Sequence, residues 1–132
     1  MNLLGLREPD IYGKKTYSDL CSYIGEVCEG ENIEYKLFQS NHEGAIVDEI
    51  QAAYGNFDGI VINLAAYTHT SVAIFDAFKA VGIPTAEVHL SDINAREEFR
   101  RHSYVSLAAK LTVSGKGFDG YKEEILYLKE NI

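Results

Sequence analysis

"GIVINLAAYTHTSVAIFDAFKAVGIPTAEVHL", residues 59–90, decides the fold. A short, continuously apolar run over 59–63 reads as a strand buried on both faces. "TSVAIFDAFKAVG" then has helical spacing, with Thr70 or Ser71 as its cap and Gly82 as its stop. "PTAEVHL" is a second strand. Strand, helix and strand at this pace make a parallel crossover unit.

The same alternation extends in both directions. "TYSDLCSYIGEVCEGE" has apolar residues at Leu20, Ile24 and Val27, the period of a helix capped by Thr16 or Ser18. "IEYKLFQ", residues 33–39, alternates at Ile33, Tyr35 and Leu37 as a strand does. "EGAIVDEIQAAYG" is helical through Ile46, Ile50 and Ala53 and closes on Gly55. "INAREEFRRHS" reads as a charged loop or short helix, "KLTVSG" as the last strand and "FDGYKEEILYLKEN" as an amphipathic closing helix. The expectation is an α/β fold: one doubly wound parallel sheet with helices on both faces, in a single domain over residues 1–132. The alternation opens on a helix, so a first strand is missing from the expected pattern.

Composition narrows the function classes. The net charge of −8 argues against nucleic-acid binding, where basic stripes supply most of the affinity. No apolar run approaches a bilayer-spanning length, and the start has no secretory pattern, so no membrane role and a cytoplasmic location are expected. Cys21 and Cys28, seven apart on one helix, lie roughly 10 Å apart along its axis, too far for a disulfide. They read as buried thiols in a reducing compartment, with a catalytic cysteine as the sharper alternative.

Ligands of such sheets bind beyond the carboxyl ends of the strands. Those ends carry "QSNHEG" (39–44), "NLAAYTHTS" (63–71), "HLSDINAREEFRRHS" (89–103) and "GKGFDG" (115–120), dense in amides, histidines and arginines. "REPDIYG" (7–13) sets Arg7 five positions before Tyr12 on a loop. A guanidinium beside a phenol favours the phenolate, which is a base. Tyr12 is otherwise a turn aromatic over the core. Arg96 and Arg100, four apart, suit either carboxylate recognition or a solvated face paired with Glu97 and Glu98. His69, just before a helix, is either a general acid or a capping residue. His42, His69, His89 and His102 lack metal spacing, so no metal is expected. The glycines of "GKGFDG" read as a tight strand-to-helix turn rather than a dinucleotide site.

Together, "NLLGLREPDIYG", "QSNHEG", "AYTHTSVAIFDA", "EVHLSDINAREEFRRHSYVS" and "GKGFDGY" resemble the type II 3-dehydroquinate dehydratases, colinearly over essentially the whole chain. The resemblance implies a flavodoxin-like fold and dehydration of 3-dehydroquinate to 3-dehydroshikimate in the shikimate pathway, without cofactor or metal. It also implies roles. Tyr12 is the base that abstracts a proton to give an enolate, and Arg7 activates it, on a loop that acts as a lid. His69 protonates the departing hydroxyl, and Asn63 stabilises the enolate and orients substrate. Glu87 orients a histidine, His69 or His89. His89 and Arg100 hold substrate hydroxyls, the backbone of Leu90 and Ser91 receives the carboxylate, and Arg96 belongs to the same region. Asp76 reaches a neighbouring subunit's site in a dodecamer built from trimers. Two departures stand out. The strand and Gly-Pro-Asn motif that usually precede "NLLG" are absent, which removes a strand from inside the sheet. Ala65 replaces a customary glycine. A non-catalytic homologue that binds a ligand or assembles is the alternative implied by these departures.

Overall fold

The computed structural model describes residues 1, 2, 4, 15–91, 97–100 and 102–132, with Arg100 described in its backbone only. The first helix, α1 (Tyr17–Gly30), starts at a reciprocal cap. Thr16 Oγ1 accepts from the Asp19 amide at 3.1 Å, and Asp19 Oδ2 accepts from the Thr16 amide at 2.9 Å. It ends where Asn32 takes a left-handed φ of 58° and the Ile33 amide reaches back to Cys28 O at 2.8 Å. Helix α2 (Glu43–Ala53) follows. Strand β1 (Ile60–Ile62) leads through a 3₁₀ turn (Ala65–His69) into α3 (Val72–Val81), which Ser71 caps by accepting from the Ile74 amide at 3.0 Å. Strand β2 (Thr85–His89), 3₁₀ turns at Glu98–Arg100 and Val105–Leu107, strand β3 (Leu111–Ser114) and α4 (Asp119–Asn131) complete the order.

The described sheet is parallel, in the order β1-β2-β3, with Ile62 opposite Glu87 and Glu87 opposite Thr112. Strand alternation separates two cores. Ile60 and Ile62 pack with Ile46, Ile50, Ile74 and Phe78 of α2 and α3. Val61 and Val88 face the other way, against Leu20 of α1 and Tyr121 of α4. Helices therefore cover both faces, as the doubly wound pattern requires. Helix α4 lies close to the sheet at Gly120, where an added Cβ would sit 3.0 Å from Val88 and 3.4 Å from Val113. Gly115 and Gly117 adopt left-handed φ values of 76° and 57°. The glycines of "GKGFDG" thus serve the strand-to-helix turn and the close approach.

One expected element differs. Residues 33–39 are not a strand: among the described residues they pair with no other, and Tyr35, Leu37 and Phe38 stay 42%, 38% and 46% exposed. A β-pattern supplies a face but not a partner, and the edge of β1 turned away from β2 carries no described strand.

Glu124 of α4 is fully buried, and neither carboxyl oxygen has a hydrogen-bond partner among the described residues. Burial, helped by the charges of Glu87 and Glu123, pushes its pKa up to about 9; the Val113 backbone offsets only part of this. The folded protein therefore holds a proton that the unfolded chain releases. This group lowers stability as pH rises from the ordinary carboxylate range toward 9, by up to ~1.4 kcal/mol per pH unit. Glu124→Leu is expected to raise the urea midpoint at pH 8 and to flatten the fall between pH 5 and 9; an unchanged slope would refute this account.

Candidate active site

Because β1 and β2 run parallel in register, their carboxyl ends deliver Asn63 and His89 to the same edge of the sheet. Asn63 folds its own turn: Oδ1 accepts from the Ala65 amide at 3.0 Å. Ala65 then adopts φ of 51°, a left-handed conformation that suits glycine and strains a residue with a Cβ. Asn63 Nδ2 donates to the Tyr121 hydroxyl at 3.1 Å and lies 3.6 Å from the Met1 sulfur.

Beneath this edge Glu87 is fully buried in the middle strand. Its Oε1 accepts from Ser103 Oγ at 2.7 Å, from Thr68 Oγ1 at 3.1 Å and from His89 Nε2. Burial alone would push the Glu87 pKa up. The hydrogen bonds from His89, Ser103 and Thr68, with the charge of His89, outweigh it and hold the carboxyl below its ordinary value. Ser103 Oγ also accepts from the Ser106 amide at 3.2 Å, and the Tyr104 amide donates to Thr68 O at 3.0 Å, so residues 103–106 are tied to the 3₁₀ turn. His69 donates from Nδ1 to His102 O at 2.6 Å, which fixes its tautomer and leaves Nε2 as the available nitrogen.

A cavity of about 1070 Å³ opens over this cluster, and Asn63, His69, His89, Leu90 and Ser91 all line it. Glu87 stands behind His89 rather than in the wall. The histidine that Glu87 holds is therefore His89, while His69 is held by a backbone carbonyl. Asp76 is exposed on α3, away from the cavity lining. Arg100 lies in the 98–100 turn, known only in its backbone; Arg7, Tyr12 and Arg96 lie outside the described residues. Among the described residues, no group of three or more His, Cys, Asp or Glu side chains is placed to hold a metal.

Comparison with known proteins places the chain in a family and supports its fold. The family model "Dehydroquinase class II" matches residues 1–129. The chain belongs to the class II dehydroquinase family. It is 50% identical over 129 residues to a 3-dehydroquinate dehydratase of Clostridium acetobutylicum, covering 98% of this chain and 90% of the relative. A catabolic 3-dehydroquinase of Penicillium rubens is 50% identical over 131 residues, 99% of this chain and 84% of that one. The crystal structure of a type II dehydroquinase from Butyrivibrio crossotus superposes with a TM-score of 0.95 at 49% identity, over 97% of this chain and 90% of that one. This likeness fits the flavodoxin-like reading of the dehydroquinase sheet.

Sequence reasoning missed four supports: Thr68 and Ser103, which hold Glu87; His102, whose carbonyl holds His69; and Tyr121, which engages Asn63. Ser103 and His102 fall within a strand-end segment already marked as polar-rich. Tyr121 gives no such signal, since an apolar-face aromatic reads as core.

Two outcomes follow. Ser103→Ala removes a donor from a buried carboxylate and is expected to cost about 1–3 kcal/mol in urea denaturation at pH 7. Glu87 has a depressed pKa, so its contribution is present above the ordinary carboxylate range and is lost as pH falls below it; the Ser103→Ala deficit should shrink in the same window. Ala65→Gly relieves a left-handed alanine and is expected to raise stability by roughly 1 kcal/mol, read as a higher thermal midpoint.

Proposed function

We propose that the chain dehydrates 3-dehydroquinate to 3-dehydroshikimate through an enolate, as a lyase of the shikimate pathway. One observation carries this reading: Asn63, His69, His89, Leu90 and Ser91 converge on one cavity in a chain half identical to 3-dehydroquinate dehydratases.

In this reading the Tyr12 phenolate, kept ionised by Arg7, removes the proton next to the ketone, and the electron pair moves to the carbonyl oxygen. Asn63 stabilises the enolate. Collapse of the enolate expels the hydroxyl, which takes a proton from His69 and leaves as water. The anchored Nδ1 of His69 supports Nε2 as the proton-carrying atom. His89, held by Glu87, and Arg100 bind substrate hydroxyls, and Arg96 completes the basic side. The Leu90 carbonyl accepts from the Gly117 amide at 3.1 Å, which supports a fixed Leu90–Ser91 backbone for the carboxylate. The loop with Arg7 and Tyr12 closes over substrate and excludes water. Asp76, exposed on α3, suits a contact with a neighbouring subunit in a trimer-based dodecamer, and the free thiols of Cys21 and Cys28 suit a reducing cytoplasm.

A second reading, a homologue that binds without turnover, is favoured by Asn63, whose amide nitrogen is engaged by Tyr121 and Met1. An absorbance assay for the conjugated enone product separates the two. Purified protein with 3-dehydroquinate is expected to form product, and Tyr12→Phe is expected to lower kcat by about 10²–10⁴-fold with substrate binding largely kept. Absence of product at any pH favours the second reading; near-normal turnover by Tyr12→Phe refutes the tyrosinate.

A further inference from the structure

Strand alternation divides the wall of the cavity. Glu87 lies opposite Ile62, on the face that α2 and α3 cover, and His89 follows two residues on. Asn63 continues the register of Val61 and falls on the other face, toward α1 and α4. There it meets α4, and the group it meets is the Tyr121 hydroxyl. Asn63 and Tyr121 both line the cavity.

That hydroxyl is firmly placed. Tyr121 is 6% exposed, with its ring packed in the core of Leu20 and Val88. Gly120 lets the start of α4 sit against Val88. In the turn before it, the Gly117 amide donates to Leu90 O, so Tyr121 is held in register with Leu90 and Ser91, the seat proposed for the carboxylate.

A count of donors and acceptors leaves one hydrogen over. Asn63 Oδ1 is taken by the Ala65 amide, so the nitrogen end of the side chain faces Tyr121. Nδ2 donates to Tyr121 Oη at 3.1 Å, which makes the phenol the acceptor. The Tyr121 O–H itself finds no acceptor among the described residues. Tyr17 and Cys21 act on it electrostatically, but Tyr17 is bonded to Cys21. Buried tyrosines ordinarily give their hydrogen to a partner. A phenol that accepts a hydrogen bond is also polarised into a stronger donor. Burial pushes the Tyr121 phenol well above its ordinary value, and the hydrogen bond from Asn63 offsets only part of this. Tyr121 is therefore a neutral donor rather than a second base.

Resting on the enolate reading above, we propose that Tyr121 is a catalytic residue whose hydroxyl donates to the ketone oxygen of the substrate as it becomes the enolate, with Asn63 acting through it from behind. The chain runs from Asn63 Nδ2–H to Tyr121 Oη, and from Tyr121 O–H to the substrate oxygen. No proton changes hands: the electron pair arrives on the substrate oxygen and the hydrogen stays on Oη. The Met1 sulfur, 3.6 Å from Asn63 Nδ2, is a weak acceptor and does not compete for the arrangement. The two phenols then divide the work. Ionised Tyr12 takes the proton from carbon, and neutral Tyr121 receives the charge this creates.

Tyr121→Phe keeps the ring in the core and removes only the hydroxyl, so the protein is expected to fold with a similar thermal midpoint. Its kcat is expected to fall about 10²–10³-fold with KM held within about threefold. Asn63→Ser keeps an oxygen for the Ala65 turn and removes Nδ2. It is expected to lower kcat by less, and to add little when combined with Tyr121→Phe. Infrared difference spectra of 3-dehydroquinate carrying carbon-13 at the ketone, bound to the Tyr12→Phe protein, read the contact without turnover. The ketone stretch is expected at lower frequency than in free substrate, and to return toward the free value when Tyr121→Phe is added. Near-normal kcat in Tyr121→Phe overturns the proposal, as does a ketone band that Tyr121→Phe leaves unmoved. So does a loss from Asn63→Ser that exceeds the loss from Tyr121→Phe, which makes Tyr121 only a support for Asn63. Substrate binding without product refutes the enzymatic reading alone, because the ketone band still decides whether Tyr121 makes this contact.

Discussion

The buried carboxylate of Glu87 is the constraint on which the site depends. A charge in the middle of a parallel sheet is tolerated only when it is surrounded by donors. Here the donors come from three separate stretches: Thr68 in the turn after β1, His89 two residues along β2, and Ser103 beyond the 98–100 turn. Satisfying one oxygen therefore fixes two loops relative to strand β2. His69 gains its backbone anchor at His102 because Ser103, its neighbour, is tied to Glu87. Electrostatics of the core thus sets the geometry of the cavity wall.

A second carboxylate gives a useful contrast. Glu124 is as deeply buried as Glu87 but has no side-chain donor around it among the described residues, only a partial contribution from the Val113 backbone, and it keeps its proton instead. The two acids show both routes by which a folded chain accommodates a carboxyl group without water. The one with partners organises a site. The other introduces a dependence on alkaline pH.

Much of this was legible in the sequence for physical reasons. Burial on both faces makes β1 and β2 continuous apolar runs, and their alternation with helices leaves few topologies. Caps at Thr16 and Ser71 are local and were among the readable alternatives. Residues 33–39 misled because alternation records a side chain's preferred face and says nothing of whether a neighbouring strand exists. Asn63, His69, His89, Leu90 and Ser91 fell at strand ends, where topology alone collects ligands. The partners of Glu87 were hidden because Thr68 and Ser103 act at long sequence separation, and a lone hydroxyl carries no pattern.

Strand β2 has a further consequence for how this chain can change over time. All five of its residues are buried, and odd and even positions serve different ends: Glu87 and His89 belong to the site, while Val88 packs between the α1 and α4 helices. Inserting or deleting one residue there would exchange the two sets, driving an acid into the oily layer and an aliphatic group into the polar one. Length drift in this lineage should therefore be confined to the connections, and β2 should act as a fixed ruler for the alignment of its relatives.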